Sequence, residues 1–209
     1  MKSSNFDTRD PVTRITCSIA ESRSTIDLLR ARTATLHRGL ESQLQIVNRL
    51  SDAEKRGPLI AGYFALHGQA EVALKSHLWG MTDLAFPSRV RSYRISGKTG
   101  SLRHGKFLFT RVFPAIGTKA EALGALYVLE GSTLGGKTIL KALRSQGVST
   151  DDLHFLDPYG KDAGMYWRAF LKVLERETSH NPSTMNECVS GAMKAFAFAA
   201  TCLREERIN

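Results

Sequence analysis

The chain has 209 residues, 42% of them apolar and 23% charged, and lysines and arginines exceed acids by nine. That is enough chain to close one core without disulfides or a structural metal. No run of apolar residues has membrane-spanning length, and residues 1–20 lack the apolar stretch of a secretion signal. Three cysteines, Cys17, Cys188 and Cys202, with no Cys-x-x-Cys pair, read as reduced thiols of a cytoplasmic protein. The positive balance favours an anionic partner without choosing among nucleic acid, membrane surface, acidic protein and small dianion.

In chain order, residues 1–23 are polar, contain Pro11 and have no periodicity, which predicts a loose arm ahead of a single helical domain over 24–209. From Ser24, Leu29, Thr33, Leu36, Leu40 and Leu44 recur at helical spacing. A break is expected over 51–57, with Pro58 in the first turn of a second helix that carries Ile60, Phe64, Leu66, Val72 and Leu78. Between 84 and 117, Pro87, Gly97, Gly100, Gly105 and Pro114 interrupt any periodicity. Arg89, Arg91, Arg94, Lys98, Arg103, Lys106 and Arg111 stand there with no acid before Glu121. This basic stretch reads as a solvated loop. With Tyr93, Phe107 and Phe109 it could also bind nucleic acid or dock an acidic electron-donor protein. Thr118-Lys-Ala-Glu121 is a capping box that opens a helix running to about Ser145. A turn at 157–160 precedes two further helices, near 163–177 and 182–204. Strand alternation is almost absent, so the class is all-α.

Gly131-Ser-Thr-Leu-Gly-Gly-Lys137-Thr138 satisfies the phosphate-loop expression, which requires a strand before it and a helix after it. The capping box thirteen residues upstream argues for a helix that retains its glycines. Each glycine inside a helix costs about 1 kcal/mol relative to alanine. Gly131 and Gly135, one turn apart, with Gly136 beside them, leave one helical face bare. Such a face serves either tight helix packing or a flat ligand.

Thr33, His37 and Glu41, spaced by four, share the stripe of the first helix. A histidine so placed is either a hydrogen-bonded core residue or an oriented metal ligand, with Glu41 accepting the proton of one ring nitrogen. A di-iron carboxylate bundle needs Glu-x-x-His on two helices. Glu177-Thr-Ser-His180 fits once and Asp151 to His154 falls in a turn, so that reading is poor. His67, His77 and His104 read as structural or surface residues.

Leu-x-x-x-Thr33-x-x-x-His37-x-x-Leu-Glu41, followed about ninety residues later by Ala-Leu-Gly-Ala-Leu-Tyr-Val-Leu-Glu-Gly131-Ser-Thr-Leu-Gly-Gly136, resembles the heme oxygenase family, most of all its bacteriophytochrome-associated bacterial branch. The resemblance implies a single-domain helical fold with heme sandwiched between a proximal and a distal helix. It implies oxidative cleavage of heme, both cofactor and substrate, to biliverdin, carbon monoxide and ferrous iron. Molecular oxygen would be consumed with electrons from a ferredoxin- or flavodoxin-type reductase system, and a bacteriophytochrome would receive the product. His37 would be the iron ligand, Thr33 would lie on its stripe, and Glu41 would bond the proximal ring. Gly131, Gly135 and Gly136 would lie over the distal side, with Ser132 where animal members carry an aspartate. Arg30, Arg168 and Lys172 would meet the propionates, and Phe196 would line the pocket. A non-catalytic heme carrier or sensor would need the same His37 and pocket.

Overall fold

The computed structural model describes residues 24–96 and 111–204. The expected arm over 1–23 lies outside the described residues, as do Cys17, Lys98, Arg103, His104, Lys106, Phe107 and Phe109. Helix α1 spans Thr25–Leu44 and opens on Ser24, whose hydroxyl accepts the Asp27 N–H. Glu175, from a distant helix, completes that end by accepting the N–H groups of Thr25 at 3.1 Å and Ile26 at 3.2 Å. These donors would otherwise lack partners, so α1 is fixed where it starts. Gln45 adopts a left-handed backbone with φ of 40° and turns the chain into the short α2, Ile46–Ser51.

Helix α3 runs over Ala53–Leu78 and starts earlier than the proline suggests. Asp52 is the cap, its carboxylate accepting from Glu54 N at 2.9 Å and Lys55 N at 3.1 Å. Pro58 therefore sits inside the helix rather than in its first turn. The missing N–H deprives only the Glu54 carbonyl, at an exposed position where water can serve it.

Among the described residues, the start of the basic stretch departs from the solvated-loop expectation. It contains a 3-10 turn at Phe86–Arg89 and a short helix α4 at Ser92–Ser96. Arg89 and Arg91 are buried, 5% and 3% exposed, while Tyr93 faces solvent. Helix α5, Lys119–Ser145, is continuous through the whole glycine segment, and no strand occurs among the described residues. This overturns the phosphate-loop reading, which needs a strand-to-helix turn at those glycines. The capping box is modified: Thr118 accepts from Glu121 N at 3.1 Å, and the Glu121 carboxylate reaches Gly117 N at 2.8 Å.

Helices α6, Ala163–Thr178, and α7, Pro182–Leu203, complete the fold. α7 lies along α5 at backbone contact: a Cβ on Gly124 would collide with the Cys188 carbonyl, and one on Gly191 with the Glu121 carbonyl. In the core Leu29, Leu74, Leu123, Leu143 and Phe170 are fully buried, each contributing about 1.5–3 kcal/mol of apolar burial. Cys188 and Cys202 are free thiols in this core, and burial pushes their pKa values up to about 12 and about 11. No described helix is long and apolar enough to cross a membrane.

Candidate active site

A cavity of about 580 Å³ opens between α1 and α5, within the roughly 300–1,000 Å³ common for ligand pockets. Helix α1 supplies Arg30, Thr33, His37 and Glu41, and α5 supplies Gly131, Ser132 and Gly135. Tyr63 and His67 from α3, Trp167 from α6 and Phe196 from α7 close the remaining sides.

The α1 wall follows from its register. Thr33 is buried and donates its hydroxyl to the Leu29 carbonyl at 2.8 Å. One turn on, His37 Nδ1 lies 3.3 Å from Glu41 Oε2, with the two side chains 56% and 66% exposed. That exposure removes the core-histidine alternative: the ring stands at the open side of the cavity, not in packed interior. Phe196, 6% exposed, meets the imidazole edge-on at 6.1 Å and 81°. With one nitrogen held by a carboxylate, the ring can offer the other to a metal.

The α5 wall sorts the three glycines. A Cβ on Gly135 would enter open space, and one on Gly131 would touch only the Trp167 ring, at 3.7 Å. Gly136 departs from the expectation. A Cβ there would collide with the Leu156 carbonyl, so this glycine admits a neighbouring loop and does not line the cavity. Adjacent helical residues point about 100° apart, which is why Gly135 and Gly136 face different partners. Ser132 lines the cavity, but its hydroxyl donates to the Leu129 carbonyl at 2.6 Å.

Cations at the mouth differ in part from those expected. Arg30 lines the cavity and pairs with Asp27 at 3.4 Å on the exposed side. It also faces the Tyr127 phenol, whose pKa is raised by burial against the lowering effect of this arginine. Arg168 and Lys172 are exposed on α6 and lie outside the lining, because α6 turns the preceding Trp167 inward instead. The second arginine of the rim is Arg38, next to His37.

Sequence reasoning missed a buried polar cluster at the cavity wall. Glu130, 1% exposed, receives Arg89 Nη1 at 2.5 Å, Arg91 Nη2 at 2.9 Å and the Tyr159 hydroxyl at 2.8 Å. Arg91 also donates to the Leu129 carbonyl at 3.0 Å. Beside it, His67 Nδ1 lies 3.6 Å from Glu71 Oε1, and Glu71 accepts Arg91 N at 2.7 Å and Ser92 N at 3.2 Å. Burial holds the His67 ring below the ordinary histidine value, with Arg91 adding to that effect against Glu71 and Glu130. Burial alone would raise Glu71, but its bonds from His67, Ser92 and Arg91 bring it below the usual carboxylate value. The available signal was the Glu four residues after His67, the same spacing as His37 and Glu41. Among the described residues no group of three metal-binding side chains occurs, and Glu177, of the single Glu-x-x-His match, is instead paired with Lys119 and Arg176.

Residues 112–205 match the family model for heme oxygenase. A heme oxygenase of Xanthomonas campestris pv. campestris (strain 8004) is 37% identical over 95 residues, 44% of this chain and 56% of the relative. The aligned stretch thus spans little more than half of that relative's length. The structure of the NO- and CO-bound heme oxygenase from Neisseria meningitidis superposes with a TM-score of 0.69 at 22% identity, over 86% of this chain and 90% of that one. The fold is therefore that of a heme oxygenase, as the two sequence motifs led one to expect.

Proposed function

We propose that this chain, whose residues 112–205 match the heme oxygenase family model and whose fold is that of a heme oxygenase, binds heme between α1 and α5 and cleaves it oxidatively. Heme held there would supply the iron that activates oxygen and would itself be the substrate, yielding biliverdin, carbon monoxide and ferrous iron. The observation that carries this reading is a single cavity lined on one side by His37 and on the other by the bare backbone of Gly131 and Gly135. The residues present fit the group: an imidazole oriented by Glu41, a face without side chains for a flat ring, and two arginines at the mouth.

His37 would hold the iron, a role histidine plays in several heme proteins. Glu41 would keep the proton on Nδ1 and so direct Nε2 to the metal. Phe196 and Thr33 fix the wall on which the imidazole stands, and Ser132 contributes bulk rather than a free hydroxyl. Arg30 and Arg38 suit the two carboxylates of heme. The excess of positive charge suits an acidic electron donor of ferredoxin or flavodoxin type, with biliverdin passing to a bacteriophytochrome.

Heme titrated into the protein should give a Soret band. Ascorbate, or ferredoxin with its reductase, in air should then convert that band to biliverdin absorption. A ferric spectrum that persists under those conditions would make the protein a heme carrier or sensor. His37→Ala should change the spectrum of the bound iron and halt turnover. An unaltered spectrum would mean that another residue holds the metal.

A further inference from the structure

We propose that Trp167 decides which edge of the bound ring is opened, by walling off one end of the glycine face and leaving the other end free. This role rests on the heme reading above and deepens it. The four bridging carbons of a heme ring are chemically nearly alike, so the seating of the ring within its walls has to tell them apart.

The glycine face of α5 is not open along its whole length. A Cβ on Gly135 would meet nothing within 4 Å, whereas one on Gly131, a turn earlier, would lie 3.7 Å from Cη2 and 4.0 Å from Cζ3 of Trp167. Both atoms belong to the outer, six-membered ring of the indole, and Trp167 lines the cavity together with both glycines. The gap between the Gly131 backbone and the indole therefore holds one methyl group, too little for a flat ring to enter. A ligand edge is admitted at the Gly135 end and refused at the Gly131 end.

The wall is braced. Trp167 and Phe170, three residues apart on α6, share a helix face, with ring centroids 5.7 Å apart at 36°, and Phe170 is fully buried. Tyr127 of α5 packs against the indole at 5.4 Å and 44°, and its phenol is bonded to Arg30 of α1. Swinging the indole out of the cavity would break both ring contacts, whose tilted geometry is favourable for aromatic pairs. Charge alone does not fix the seating. Arg30 and Arg38 stand eight residues apart on α1, about 12 Å along its axis, so two carboxylates held between them leave the ring free to shift and turn. The indole removes that freedom at one end.

Two variants test this. Trp167→Phe keeps an aromatic ring beside Phe170 and Tyr127 but lacks the outer ring that reaches Gly131, and Trp167→Ala removes the wall altogether. Each would be loaded with heme, and the seating read from the shifted ring-methyl proton resonances of the ferric cyanide form. The biliverdin isomers formed with ascorbate in air would be separated by chromatography. The wild type should yield one isomer. Trp167→Phe should show a methyl pattern absent from the wild type and raise a second isomer to about a tenth of the product or more, and Trp167→Ala should raise it further. A change in stability alone would leave the isomer ratio where it was. A wild-type product that is already mixed, a wild-type methyl pattern in Trp167→Phe, or a single unchanged isomer from that variant would each overturn the inference. If Trp167→Ala does not fold, Trp167→Phe decides, and if heme is bound but not opened, the methyl pattern decides. Absence of a Soret band in the wild type would instead overturn the heme reading, and the two failures are distinct.

Discussion

Replacing Glu130 by alanine should cost more stability than any other single change at the cavity wall. Three donors converge on this carboxylate: Arg89 at 2.5 Å, Arg91 at 2.9 Å and Tyr159 at 2.8 Å. Both arginine side chains are 3% exposed and the glutamate 1%, so solvent cannot replace the lost charge. Removing one partner of a buried ion pair costs about 3–5 kcal/mol, and here two guanidinium groups lose the same counter-charge. An unsatisfied Tyr159 hydroxyl adds about 1–3 kcal/mol. Offsetting this, Arg89 keeps the Leu84 carbonyl at 2.8 Å and Arg91 keeps the Leu129 carbonyl at 3.0 Å. A net loss of about 5 kcal/mol follows, a large share of the roughly 5–15 kcal/mol that holds a domain folded. At about 2–4 °C per kcal/mol for a chain of this size, Tm should fall by about 10–20 °C. Urea and thermal unfolding at neutral pH, followed by circular dichroism, would measure it. Glu130→Gln preserves the volume and an acceptor for Tyr159, and should retain about a third of the loss or more through the missing charge alone. A Glu130→Ala protein within about 1 kcal/mol of wild type would refute the reasoning, because it would mean the arginines reach water in the native state.

The glycines should separate by side. Gly135→Ala places its Cβ in open space and should stabilise by up to about 1 kcal/mol, whereas Gly124→Ala drives a Cβ into the Cys188 carbonyl and should cost about 3 kcal/mol or more. Unfolding curves of the two variants check the pair. Gly135→Phe should leave the helical spectrum intact and weaken heme binding at least about tenfold in a Soret titration, because its ring occupies the space meant for the ligand. Stability should also decline on acidification in two stages. His67 has a native pKa below its unfolded value, so the unfolded chain binds the extra proton, and stability present above about pH 6.5 is lost as pH falls from there toward the native value. Glu71, Glu121 and Glu177, also lowered, add a second loss below about pH 4.5. Each group contributes a slope of at most about 1.4 kcal/mol per pH unit. A flat unfolding free energy between neutral pH and about pH 5.5 would count against a neutral, buried His67.

Much of the helical frame was legible in the sequence because its ends are locally encoded. Ser24, Thr118 and Asn181 each accept a first-turn N–H, and these caps mark the starts of α1, α5 and α7. Asp52 caps α3 just as locally, but Pro58 is the louder signal and drew the expected start too late. The pairing of His37 with Glu41 was legible for the same reason, since a spacing of four fixes neighbours on a helix without reference to anything else. Gly136 was not. Its partner is the Leu156 carbonyl, twenty residues away, and nothing local separates it from Gly135.

The arginines of the segment before α4 mark the firmest limit. In sequence Arg89 and Arg91 belong to a run of cations without acids, and such a run reads as solvated because burying unpaired charge is prohibitive. Their counter-charge is Glu130, some forty residues later, inside an apolar stretch of α5 where a lone glutamate looks like a surface residue. Each half of the cluster is implausible inside a core alone, and only the fold cancels the two costs. The same point separates the two histidines. His37 and His67 each precede a glutamate by four residues, so their local chemistry is identical. One pair stands more than half exposed and the other is nearly sealed. What distinguishes the exposed imidazole at the cavity from the sealed one is therefore the burial that α5 and Arg91 impose, and this is set by packing between helices rather than by spacing along one.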